Sequence, residues 1–204
     1  MATQPLQGRA ALVTGAGDPV PLAVAQALGR AGAAVMTCDI NPDRADRAAA
    51  AVRETGARAL AWTADVSNRF QVGTLIERLR DEFGGLHVVV SGWQVNKRGP
   101  LLKLDEYDWR RVLEINLTGA FFLSQLAARV MADEGGGVIV QLVDGAGEAL
   151  VGQTPYAVSQ AGLRALTGVL AAELHAQGVR AEAVPLHAEV APTVAAVMQA
   201  ILGA

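Results

Sequence analysis

The sequence predicts an α/β fold, a doubly wound parallel sheet of about six strands in the order 3-2-1-4-5-6 with helices on both faces. Three observations carry that prediction. Short apolar runs without polar alternation recur along the chain, as expected of strands buried on both faces. Each run is followed by a segment of helical length, which makes parallel β/α units with right-handed crossovers. Gly, Pro, Asn and Asp mark nearly every boundary, and no linker, repeat or low-complexity segment interrupts the alternation, so residues 1–204 read as one domain.

The elements follow in order. Arg9 to Thr14 is an apolar run ending at Gly15, a strand and its turn. Pro19 to Ala31 is a helix with Pro19 and Pro21 at its start, where a missing N–H costs least, and Gly32 closes it. Ala33 to Asp39 is the second strand, and Asn41 caps an Ala/Arg helix that runs to about Thr55. Ala57 to Thr63 is the third strand, and Ser67-Asn68 cap a helix through Phe83. His87 to Ser91 is the fourth strand, and Asp105 opens a long helix to about Ala132. Val138 to Val143, a helix from about Pro155 to Ala176, Val179 to Pro185 and a last helix from Ala191-Pro192 complete the chain.

Composition narrows the function classes. Hydrophobic residues make up 51% and charged residues 18%, too apolar for disorder, and aromatics are only 4%, so the core is built from Ala, Val and Leu. The net charge of −3, with no basic run, argues against nucleic-acid and membrane-surface partners. One cysteine, Cys38, excludes a disulfide within the chain and makes a cytoplasmic setting the default. No signal peptide is legible at the N-terminus and no apolar run approaches the ~20 residues of a membrane-spanning helix. His87, His175 and His187 form no metal-ligand pattern, so no metal is expected.

The turn Val13-Thr14-Gly15-Ala16-Gly17-Asp18-Pro19-Val20-Pro21 lies between the first strand and helix. It resembles the Thr-Gly-x-x-x-Gly-x-Gly fingerprint of short-chain dehydrogenases/reductases. The resemblance continues in family order through Asp39, Asp65-Val66, Asn116-Leu117-Thr118-Gly119, Tyr156 and Val179-Arg180, over nearly the whole chain. It implies a Rossmann-like domain and an ancestral NAD(P)-dependent hydride transfer between alcohol and carbonyl. Carried over, it makes Gly15, Asp39, Asp65 and Val66 the cofactor-binding positions and Tyr156, Asn116 and Asp144 the catalytic ones. Each also has a plainer reading. Asp39 either accepts the ribose hydroxyls, favouring NAD over NADP, or caps the turn into Asn41-Pro42. Asp65 is either an adenine contact or a strand-end turn acid, and Asn116 either holds a proton-relay water or kinks its helix by engaging backbone.

Four departures from the pattern stand out. Pro19 and Pro21 replace the second and third glycines, removing N–H donors where the phosphates of a dinucleotide would sit. Ser91-Gly92-Trp93-Gln94 stands where the family has Asn-Asn-Ala-Gly, so Trp93 either fills cofactor space or turns outward. Asp144 falls at the position of the substrate-binding serine, where an ionised carboxylate cannot donate to a carbonyl oxygen. Gln160 replaces the lysine that makes the family tyrosine acidic. The sixth strand also passes almost directly into the last helix, without the segment that lids the substrate, and the chain stops where the family continues into a seventh strand. These features predict a truncated member with a degenerate active site: no bound cofactor, or NAD(H) if the site still functions. Within the two helices of about 105–132 and 155–176, the stretches Phe121 to Ala128 and Ala161 to Leu174 are apolar nearly all round, which calls for burial on more than one side. In the resembling family they form the subunit interface. The expected role is therefore a non-catalytic subunit that assembles with itself or with a catalytic paralogue, one oxidising a hydroxyacyl thioester being the best-motivated. The rivals are a weak or altered NAD-dependent oxidoreductase using Tyr156 and a ligand-sensing module in the remnant cleft.

Overall fold

The computed structural model describes residues 4–144 and 151–203. Six parallel strands, β1 (Ala10–Thr14), β2 (Ala34–Asp39), β3 (Ala59–Thr63), β4 (Val88–Ser91), β5 (Gly137–Val143) and β6 (Val179–Pro185), form one sheet in the order β3-β2-β1-β4-β5-β6. The expected architecture and strand order are those observed.

Side-chain alternation along each strand feeds two cores. From β1, Ala11 and Val13 join the layer of Val24, Leu28, Ala48, Val52, Val197 and Ile201, contributed by helices α1 (Pro19–Arg30), α2 (Pro42–Arg53) and α7 (Val190–Leu202). Ala10 and Leu12 join the opposite layer of Leu75, Leu79, Leu123 and Met131, from α3 (Arg69–Phe83) and α5 (Gly119–Asp133). At ~25 cal/mol per Å² of apolar area, this two-sided burial is the main stabilising contribution. Asn41 and Asn68 cap α2 and α3 as the sequence predicts, each side chain accepting from first-turn N–H groups.

One element differs. The single long helix expected over 105–132 is divided into α4 (Glu106–Leu113) and α5 by a π-helical turn over Glu114–Thr118. Asn116 sits in that turn, and its side chain engages backbone in a neighbouring loop rather than in its own helix. The Val95 N–H donates to Asn116 Oδ1 at 2.8 Å, and Asn116 Nδ2 donates to the Val95 carbonyl at 2.8 Å and to Ser159 Oγ at 3.1 Å. The helix predicted to reach Ala176 ends as α6 (Thr154–Leu174) and continues in a 3₁₀ turn over His175–Gln177. Only residues 186–189 separate β6 from α7.

Candidate active site and cofactor cleft

The sheet reverses its order between β1 and β4, and a cleft opens there at the carboxyl ends of the strands. Gly15 makes the first turn with φ +64°, a conformation that favours glycine. A Cβ at Gly15 would also lie 2.7 Å from the Trp93 backbone nitrogen, so the turn and the β4 loop close directly on each other.

The N–H groups of this turn are nearly all spent inside the protein. Ala16 donates to Cys38 O at 3.1 Å, Gly17 to Asp39 Oδ2 at 3.1 Å, Asp18 to Gly15 O at 3.0 Å and Leu22 to Asp18 O at 3.0 Å. Pro19 and Pro21 have no N–H, which leaves Val20 alone to offer one at the head of α1. The ring of Pro21 packs where a side chain at Gly92 would go, since a Cβ there would meet Pro21 Cγ at 2.5 Å. Pro21 thus lacks a donor and also packs against the β4 loop.

Asp39, buried at the end of β2, is held by three groups. It accepts from Gly17 and, through Oδ1, from the Asn41 N–H at 3.0 Å, and Arg44 Nε stands 3.4 Å from Oδ2. Arg44 also pairs with Asp18, tying α2 to the turn before α1. Asp65 caps its own turn, accepting from Ser67 N–H at 2.9 Å and Ser67 Oγ at 2.7 Å, with Arg111 3.8 Å away. Val66 lines the same cleft, and its carbonyl lies against Gly119. The structure therefore brings all four expected cofactor positions, Gly15, Asp39, Asp65 and Val66, around one cavity of about 170 Å³.

Trp93 turns inward. It lines the cleft, packs against both the α3/α5 core and Leu163, and its indole N–H donates to Ile115 O at 2.9 Å. Beside it, Gln94 donates through Nε2 to Leu142 O at 3.2 Å, which fixes the amide so that Oε1 accepts the hydroxyl proton of Tyr156.

Tyr156 is buried at the head of α6, with the Asp144 carboxylate beside it. Burial first, then the nearby Asp144, push the phenol well above its ordinary value near 10; the Arg164 guanidinium opposes this more weakly. Gln160, one turn on and buried, accepts the Asp144 N–H through Oε1 at 2.8 Å while its Nε2 has no partner among the described residues. Arg164 donates to the Asp144 carbonyl, so residue 144 is gripped from two turns of α6. The three expected catalytic positions do converge: Tyr156 stands beside Asp144, and Asn116 reaches the Tyr156 helix through Ser159, which in turn donates to Tyr156 O at 2.7 Å. The loop residues 145–150 after Asp144 lie outside the described residues.

Two residues of the site carried no assignment in the sequence reading. Gln94 was legible as a polar side chain where the resembling pattern has glycine, and Arg44 only as one arginine among several on α2. The histidines serve structure: the Ala10 N–H donates to His87 Nδ1 at 3.0 Å, and His187 N–H donates to Thr193 Oγ1 at 2.9 Å. Among the described residues no three His, Cys, Asp or Glu side chains gather so as to hold a metal ion, and no helix is long and apolar enough to cross a membrane.

The family model described as short chain dehydrogenase matches residues 9–196, and the chain belongs to that family. It is 38% identical over 180 residues to the cis-4-hydroxycyclohexanecarboxylate dehydrogenase of Sinomonas cyclohexanicum, covering 86% of this chain and 71% of that one. It is 31% identical to the (2S)-[(R)-hydroxy(phenyl)methyl]succinyl-CoA dehydrogenase subunit BbsD of Thauera aromatica, covering 85% and 70%. The crystal structure of an NAD⁺-bound xylitol dehydrogenase superposes with a TM-score of 0.85 at 30% identity, covering 88% of this chain and 70% of that one. Against the nicotinamide dinucleotide that the family implies, the residues here fit poorly. The ribose-side carboxylate is present, but of the turn's phosphate donors most are spent internally or replaced by proline, with the Val20 N–H remaining, and Gln94 spans from the cleft wall to Tyr156.

Proposed function

We propose that this short-chain dehydrogenase family protein does not carry out hydride transfer on its own and works as a subunit, assembled with itself or with a catalytic relative that oxidises a hydroxyacyl thioester. The observation that carries the reading is the donation of the Tyr156 hydroxyl to Gln94, beside the Asp144 side chain, in a pocket whose neighbouring amide, Gln160, brings no charge. A general acid of this kind needs a pKa near the working pH, and an efficient one contributes ~10²–10⁴ in rate. Here every neighbour but Arg164 favours the neutral phenol. Asp144, as a carboxylate, adds repulsion where an oxyanion would develop.

Support for a subunit role comes from the exposed apolar residues of α5 and α6. Phe121, Val158 and Val169 are 40%, 43% and 52% exposed in the isolated chain. The relative named as a dehydrogenase subunit supports the same context. The test is to express the protein alone and with an intact relative from its host. Recovery of a stable complex with the relative, or of a defined homo-oligomer, agrees with the proposal; a free monomer under both conditions contradicts it.

A second reading, a weak NAD-dependent oxidoreductase, is favoured by the buried Asp39 carboxylate and by the dehydrogenases among the relatives. NADH-dependent turnover that disappears in Tyr156→Phe supports this second reading over the first.

A further inference from the structure

We propose that β6 is a self-pairing edge: two copies of the chain join antiparallel along Val179–Ala183, each Arg180 opposite Glu182 of the other copy. β6 lies at one end of the sheet, with β5 on one side and, among the described residues, no strand on the other. Its ladder with β5 decides which backbone groups face outward. The Gly137 N–H donates to Gly178 O at 3.2 Å, and the Leu186 N–H donates to Val143 O at 2.7 Å. In the parallel register between these bonds alternate residues carry the ladder, so the even residues of β6 turn toward β5. Val179, Ala181 and Ala183 therefore direct their N–H and C=O groups out of the sheet, and Pro185, which has no N–H, ends the row. At the opposite edge the outward Ala59 carbonyl of β3 is taken by Arg53 Nη1 at 2.9 Å. No side chain among the described residues does the same for Val179, Ala181 or Ala183. A free row of this kind is a template for another strand.

The side chains select the occupant. Arg180 and Glu182 stand 3.4 Å apart on the face that carries α7, and Arg180 is held there by the Ala200 and Ile201 carbonyls at 2.8 and 2.7 Å. A two-fold axis through Ala181 sets Val179 opposite Ala183 and Ala181 opposite itself, so every outward N–H meets an outward carbonyl. Arg180 and Glu182 then form the non-hydrogen-bonded pairs, where Cα atoms approach to roughly 4.5 Å and side chains lie closest. Both of these contacts are Arg on Glu. Moving the axis to Arg180 or to Glu182 would set like charges opposite each other, which is destabilising. The charges thus fix one register, and a second copy of the same strand satisfies it. The edge is also open on that face. A groove of about 400 Å³, lined by Glu182, Pro185, Ala196, Gln199 and Ala200, runs between β6 and α7, and Ala183 is exposed.

This surface is distinct from the apolar faces of α5 and α6, so the proposal goes beyond the functional reading: NADH turnover overturns that reading and leaves this pairing untouched. The test starts from the full chain carrying both Val158→Glu and Val169→Glu, which charge the α6 surface and leave β6 intact. Sedimentation velocity and amide hydrogen exchange are followed at low and high protein concentration. The charged protein is expected to form a dimer, with the Ala181 and Ala183 amides exchanging roughly tenfold or more slowly at high concentration. Adding Ala183→Pro, which removes an outward donor and no bond to β5, should give a monomer. Adding Glu182→Arg should weaken dimerisation roughly tenfold or more, and Glu182→Gln less. Circular dichroism checks that these variants keep the fold. A charged protein that is monomeric at every concentration overturns the proposal, as does a dimer that survives both Ala183→Pro and Glu182→Arg. So does protection of these amides in a monomeric sample, which would put a segment other than a second copy's strand on the edge.

Discussion

The Tyr156 hydroxyl gives its proton to Gln94 Oε1, and Gln94 is locked in that orientation by its own bond to the Leu142 carbonyl. Two residues 62 positions apart thus join α6 to the loop after β4 that lines the cleft. A tyrosine so held is expected to resist ionisation. Of the two tyrosines, Tyr107 can be removed by Tyr107→Phe, leaving Tyr156 as the sole phenol. Its ultraviolet phenolate band should then appear only above the ordinary value near 10. Because the folded-state pKa is raised, the associated stability is full below about pH 10 and is lost as pH rises further. A phenolate band at neutral pH would contradict this arrangement.

Gln160 gives a second expectation. Its carbonyl satisfies the Asp144 N–H at 2.8 Å, while its Nε2 is already unpartnered among the described residues. Gln160→Leu should therefore remove one satisfied bond and relieve one unsatisfied donor. The net cost should be modest, about 1 kcal/mol and less than the ~1–3 kcal/mol of an uncompensated loss. Denaturant unfolding measures it; a loss much above that range would mean Gln160 supports more than Asp144.

How much of this was legible beforehand differs by scale. The strand order and the helix caps follow from apolar runs and capping residues, which are local and repeat along the chain. The replacements at Asp144 and Gln160 were visible because single residues changed charge at recognisable positions. A break in the helix at Asn116 was among the readings, but its partner was not, since whether an asparagine bonds its own helix or the Val95 backbone depends on a contact 21 residues away in sequence. Gln94 was hidden for the same reason. Nothing local says that a loop glutamine after β4 will reach Tyr156 on α6.

His87 links β1 to β4, and protonation would destroy its acceptor role toward the Ala10 N–H. Burial, then the nearby Arg9 charge, lower its pKa, with Glu134 opposing. A lowered folded-state pKa means stability that is present above the ordinary value near 6.5 and lost as pH falls through and below it. His87→Gln should flatten the pH dependence of the melting temperature across that window. An unchanged slope would remove His87 from this account.

The apolar faces of α5 and α6 should behave as an association surface. Val158→Glu and Val169→Glu place charges on positions that are exposed in the isolated chain, so the fold should survive with stability changes of about 0.5 kcal/mol. Sedimentation velocity should show the variants dissociating to a smaller species. If both retain the assembly of the parent protein, the contact lies elsewhere.

The most direct test of the central claim is the NADH absorbance of the purified protein alone, followed with a panel of ketones and of β-ketoacyl thioesters. The account predicts no protein-dependent decrease, because Tyr156 is held neutral by Gln94 and Asp144 and no cation stands at Gln160. A decrease that scales with protein concentration and vanishes in Tyr156→Phe would show that the tyrosine still transfers its proton, and would contradict it.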